Sequence, residues 1–228
     1  MELRIPELTE IPVPLHLELR TTRRRTGPSL GPIPGAVSLG IPVVRPADSD
    51  LVGEDATLRA FLAEQNSQWR FHLIFLGCSF LPGDAKIQRA WLTVSLTRDD
   101  GRPAPAPIAW SCTPLREEKP ADRPPNKITL TAGMIIKASA EFTTSSAPDE
   151  VSIEAYGLQE PACTWQFNRT SRADLTGSRR LVLVTRIPHG THVTGAVELR
   201  ATLTRKRLGL LTHTSKLDDN LPLTFSLA

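Results

Sequence analysis

Val193-Thr194-Gly195-Ala196-Val197-Glu198-Leu199-Arg200-Ala201-Thr202-Leu203-Thr204 sets Val193, Gly195, Val197, Leu199, Ala201 and Leu203 against Thr194, Ala196, Glu198, Arg200, Thr202 and Thr204. A period of two over this length is that of a strand with one buried and one wet face, because a helix would scatter these apolar groups around its axis. Just upstream, Leu181-Val182-Leu183-Val184 is apolar on both faces, which predicts a neighbouring strand packed on two sides. The link between them, Ile187-Pro188-His189-Gly190-Thr191, carries turn residues.

The same alternation recurs along the chain. Val13 to Arg20, Trp69 to Cys78, Gln88 to Thr97, Val151 to Tyr156, Thr164 to Phe167 and Leu221 to Leu227 all read as strands. Lys127 to Thr144 is long enough for two strands, or for one strand bent at Gly133. Ile108 to Cys112 reads as an edge strand open to strand addition. Only Asp55 to Gln65 has a helical pattern, with Leu58, Phe61 and Leu62 on one face behind an Asp55 cap.

These segments predict one all-β domain over 1–228, an antiparallel β-sandwich of about nine or ten strands with one short helix. The 20 Pro residues favour loops and edges, and two stretches, 27–46 and 101–125, read as long Pro-rich loops. The pattern is similar to that of immunoglobulin-like or jelly-roll-like sandwiches. That resemblance implies architecture alone, since a sandwich sets no activity.

Several chemistries can be weighed from residue types. No apolar run approaches the roughly 20 residues of a membrane-spanning helix, and the N-terminus lacks the pattern of a secretory signal, so the expected location is cytoplasmic. Cys78, Cys112 and Cys163, odd in number and widely spaced, predict reduced, buried thiols. No Gly-x-Ser-x-Gly, phosphate-binding Gly-rich loop, His-Glu-x-x-His or Cys-x-x-Cys occurs. No catalytic residue, cofactor or metal site is therefore assigned. The nearest approach to a metal set is His189 and His192 with His213 downstream, a pattern that would suit a metal-dependent hydrolase if the fold brought all three together.

Charge is unevenly spread although the net value is only +3. Arg169 to Arg207 is basic, with Asp174 and Glu198 as its only acids, whereas Ala138 to Cys163 has acids and no Lys or Arg. Trp91 falls on the wet side of its strand beside Arg89, an aromatic–Arg composition found at binding hot spots. The expected role is a non-catalytic protein-interaction or assembly module, contacting a protein partner or a second copy through Arg23, Arg24, Arg25, Trp91, Arg205, Lys206 and Arg207. The alternative is nucleic-acid binding by the Arg clusters, disfavoured because no aromatic residues interleave them to stack on bases.

Overall fold

Strands begin almost at the N-terminus: β1 (Glu2–Arg4), β2 (Glu10–Glu18), β3 (Ile33–Gly40) and β4 (Val43–Pro46) precede the single described helix, α1 (Ala56–Gln65). There follow β5 (Trp69–Phe80), β6 (Ala85–Arg98), β7 (Ile108–Thr113), β8 (Arg116–Glu117), β9 (Lys127–Thr129), β10 (Ile153–Tyr156) and β11 (Ala162–Asn168). The chain ends with β12 (Gly177–Pro188), β13 (Val193–Arg205), β14 (Leu211–Leu217) and β15 (Leu223–Leu227). This computed structural model describes residues 2–4, 6–18, 33–48, 55–82, 85–98, 105–117, 127–129, 135, 151–171, 174–205, 211–217 and 223–227.

The fold is mostly antiparallel β with one short helix, as expected for an all-β sandwich. A 13-stranded sheet runs β7-β12-β5-β3-β2-β14-β13-β6-β11-β10-β8, with β15 added on β13 and β4 on β5; β1 and β9 pair separately. Its two ends are consecutive in sequence. The main-chain N–H of Ala109 donates to Glu160 O, Gln159 N–H donates to Ala109 O, and Ala155 N–H donates to Leu115 O, so the path folds back on itself. The edge of β7 expected to be open is thus occupied at Ala109, which limits strand addition there.

Inside, side chains from β3, β5, β7 and β12 meet those from β6, β10, β11, β13 and β15 in one apolar cluster that includes Leu76, Phe80, Leu92, Trp165, Phe167, Leu183 and Leu199. Phe80 of β5 and Phe167 of β11 lie edge to face at 5.3 Å between ring centroids, joining the two layers. Trp165 is fully buried, and its indole N–H donates to Pro114 O at 3.0 Å, so its polar atom is not stranded in the interior.

The strand that is apolar on both faces has a reason for it. Leu181 and Leu183 enter the main core, whereas Val182 and Val184 join Phe71, Leu73 and Phe75 of β5 in a second cluster under Leu58 of α1. The helix starts where the cap predicts, with Asp55 accepting a hydrogen bond from Leu58 N at 3.0 Å. Full burial of each large side chain in this layer contributes about 1.5–3 kcal/mol.

Two expectations are corrected, the loop over 27–46 and the strand count. The 27–46 stretch is not a continuous loop: β3 and β4 occupy most of it, with Pro34 and Pro42 near strand ends and Pro46 closing β4. The 101–125 stretch holds the strand expected at Ile108 to Cys112, as β7, and adds the short β8. The strand count exceeds nine or ten, because short pieces such as β1 and β8, and the polar β14, have too few apolar positions to show a period. Of the expected Lys127 to Thr144 strands, only β9 and Ile135 fall within the described residues.

Candidate recognition face of β13, β6 and β11

The outer surface of β13, β6, β11 and β10 is set by register. Arg200 lies opposite Trp91, Trp91 opposite Gln166, and Gln166 opposite Glu154, giving a cross-strand row about 14 Å wide at ordinary strand spacing. The next row runs Glu198, Thr93, Thr164 and Tyr156. Because Leu92, Val94 and Leu199 point inward, period-two geometry turns Trp91, Thr93 and Arg200 outward.

Trp91 is half-buried and fixed in place. Its indole N–H donates to Gln166 Oε1 at 3.1 Å, Gln166 Nε2 donates to Asn168 Oδ1 at 2.8 Å, and Arg89 Nε donates to the same oxygen at 3.1 Å. Asn168 Nδ2 then reaches Val151 O at 3.1 Å. The Arg89 guanidinium also stands 5.7 Å from the Trp91 ring centroid, within cation–π range. α1 packs on the other outer face of the sandwich, so the helix leaves Trp91 uncovered.

Surrounding charges are mixed. Arg200 Nε donates to Glu198 Oε1 at 2.9 Å, while Lys86 and Arg169 both contact Asp174, at 2.8 and 2.7 Å. The hydrogen bond from Lys86, with Arg169 close by, holds the Asp174 carboxyl below its usual value. Tyr156, at 47 % exposure, is raised by partial burial and by Glu154. Such a face offers an aromatic anchor and paired polar groups of both signs.

The remaining candidates are dispersed. Arg23, Arg24, Arg25, Lys206 and Arg207 lie outside the described residues. Arg205 ends β13 opposite Ala85, five positions beyond the Arg200–Trp91 pair and so about 16 Å along the strand, so it does not join Trp91 in one site. His189 and His192 are exposed in the β12–β13 turn, but His213 pairs with Leu203, ten positions up β13 from Val193 and about 33 Å away. One ion cannot be shared by all three. Among the described residues there is also no group of three metal-ligating side chains.

The thiols sit in the core. Burial pushes Cys78 up to about 12, and a hydrogen bond with Cys112 together with burial raises Cys163. All three cysteines are free and buried, and the raised values of Cys78 and Cys163 keep those two thiols protonated and unreactive.

Sequence reasoning missed a second aromatic–cation feature on the helix-bearing side, where Arg186 stands between Trp69 and Trp110. Nearby, between α1 and the β4–β5 edge, lies an open cleft of about 440 Å³ lined by Leu62, Phe71, Trp69, Arg59, Arg70 and Asp48, among others. A signal existed in the outward parity of Trp69 and Arg186; the placement of Trp110 depended on a register shift that no local pattern reveals.

No protein-family model matches the chain, and no curated protein matches its sequence. Among the described residues no helix is long and apolar enough to cross a membrane.

Proposed function

We propose that this chain is a non-catalytic protein-interaction module that docks a protein partner, or a second copy, on the outer face of β13, β6 and β11. The observation that carries this reading is the half-buried Trp91, held by Gln166 and flanked by Arg89 and Arg200. A large ring whose N–H is already satisfied loses little freedom on docking, and Trp with Arg supplies much of the energy at protein interfaces. The pairing of Arg200 with Glu198 and of Lys86 and Arg169 with Asp174 favours a mixed-charge protein surface over a phosphate backbone. Reduced, buried thiols support a reducing compartment such as the cytoplasm.

The test is quantitative capture from cells expressing the full chain, with wild type compared with a Trp91→Ala/Arg200→Ala double variant. The reading expects the main partner, or the self-association measured by light scattering, to weaken about tenfold or more, as hot-spot truncation does. Circular dichroism should remain unchanged. Equal recovery of every partner and unchanged self-association would remove this face from consideration.

A further inference from the structure

On the opposite outer face, the strand pairing assembles a second feature independent of the Trp91 reading. β7 runs antiparallel to β12 with Ser111 opposite Val184 but Ala109 opposite Thr185, so Trp110 is an extra residue in a β-bulge. Bulges redirect the side chain at the irregularity. Here the Trp110 ring lies over Arg186, with the guanidinium carbon 4.2 Å from its centroid, while the Trp69 ring lies 4.3 Å away.

The Trp110 wall is anchored, and Trp69 packs against the same apolar cluster. The Trp110 indole donates to Ile135 O at 2.6 Å, and its ring meets Phe71 edge-on at 5.8 Å. Phe71 in turn contacts Phe61 of α1 at 5.7 Å. Arg186 is therefore gripped by rings tied to the second apolar cluster. With two rings beside the guanidinium, hydrogen bonding is left to its edge.

That edge has no ion-pair or hydrogen-bond partner among the described residues. Arg186 Nε is buried without a hydrogen bond, leaving the two Nη groups as the accessible donors. Partial burial lowers the guanidinium from its usual value, yet arginine remains charged at any physiological pH. A half-buried cation without an anion is costly to retain, and an immobilised planar fork is preorganised for an anion carrying two adjacent oxygens.

We propose that Arg186, clamped between Trp69 and Trp110, binds the oxyanion of a ligand, a carboxylate or a phosphate group. The ligand's two oxygens accept from the Nη groups, and the indole walls exclude water from the pair. Lysine would not substitute well, because a point charge neither stacks on both rings nor presents a fork.

The experiment is a titration of the intact chain followed by the indole N–H signals in proton–nitrogen NMR, with Trp91 on the other face and Trp165 in the core as internal references. Three probes are used separately: acetate, inorganic phosphate, and chloride at matched ionic strength. The expected result is a saturable shift of the Trp69 and Trp110 signals with acetate, with phosphate or with both, and none with chloride. Acetate alone assigns the site to carboxylates, and a tighter response to phosphate assigns it to phosphoryl groups. Arg186→Lys should weaken the response about tenfold by losing the bidentate fork, and Arg186→Gln should abolish it. Trp69 and Trp110 signals that stay still with both acetate and phosphate, or that move as much with chloride, or a response preserved in a folded Arg186→Gln protein, would overturn the proposal. The wild-type titration decides even if both variants fail to fold.

Discussion

The two outer faces of this sandwich are built from long antiparallel strands, yet they solve opposite problems. On β5 and β12 the outward residues Phe71, Leu73, Phe75, Val182 and Val184 are buried beneath Leu58, with Phe61, Leu62 and Val43 packed around them. On β6 and β13 the outward residues are Arg89, Trp91, Thr93, Glu198 and Arg200, held by hydrogen bonds and cation–π contact with no covering element among the described residues. The difference shows that one face contributes a second core to stability, whereas the other keeps its groups available. Aromatic–cation contacts occur on both faces, but among the described residues only Arg186 is confined between two rings.

The contrast can be broken by truncation. Phe75→Ala on the covered face should lower unfolding stability in urea by about 3–5 kcal/mol, through lost burial and the cavity left under α1. Trp91→Ala on the open face should lower it by about 1–2 kcal/mol, the loss of a partly buried ring and one hydrogen bond. Equal losses would mean that the open face is as structural as the covered one.

A second measurement probes the interior both faces share. The folded state holds Cys78 protonated up to about 12, against 9.0 for an unburied thiol, so unfolding releases its proton across that window. The contribution is complete below pH 9, and stability should then fall by about 1.4 kcal/mol per pH unit as pH rises toward 12. Cys163 is shifted in the same direction and adds to the slope. Cys78→Ala should flatten the curve, and an unchanged slope would remove Cys78 as its source.

Smaller effects sharpen the comparison. Gly195 of β13 faces Phe225 of β15, and a Cβ there would collide with that ring, so Gly195→Ala should cost about 1–3 kcal/mol by displacing Phe225. Asp55→Ala removes the cap of α1 and should cost about 1 kcal/mol, with faster hydrogen exchange confined to the helix. Asp174→Asn on the exposed margin of the open face should leave the melting temperature essentially unchanged, because its contacts with Lys86 and Arg169 are exposed to solvent.

Much of this contrast was legible before any coordinates. Leu181 to Val184 announced a strand covered on both sides, and Leu58, Phe61 and Leu62 announced an apolar helix face, which the fold then laid over β5 and β12. The alternation of β6 placed Trp91 outward, as observed. The Arg-rich stretches gave less, because Arg205 lies along β13 from Trp91 and its neighbours Lys206 and Arg207 lie outside the described residues. His189, His192 and His213 looked like one set only until register separated them. β14 stayed hidden because Leu211 to Leu217 alternates few apolar residues, and its place comes from pairing with β13 and β2.

By itself, the sequence determined which segments extend, which sides of them are oily, and where the helix begins, since each depends on residues a few positions apart. Only the tertiary structure decided that the sheet path closes on itself, that Trp110 bulges outward, and that Trp69 and Trp110 grip Arg186. Those outcomes are hydrogen-bond registers between segments distant in the chain, and a local period fixes the face a side chain takes but not the strand it meets.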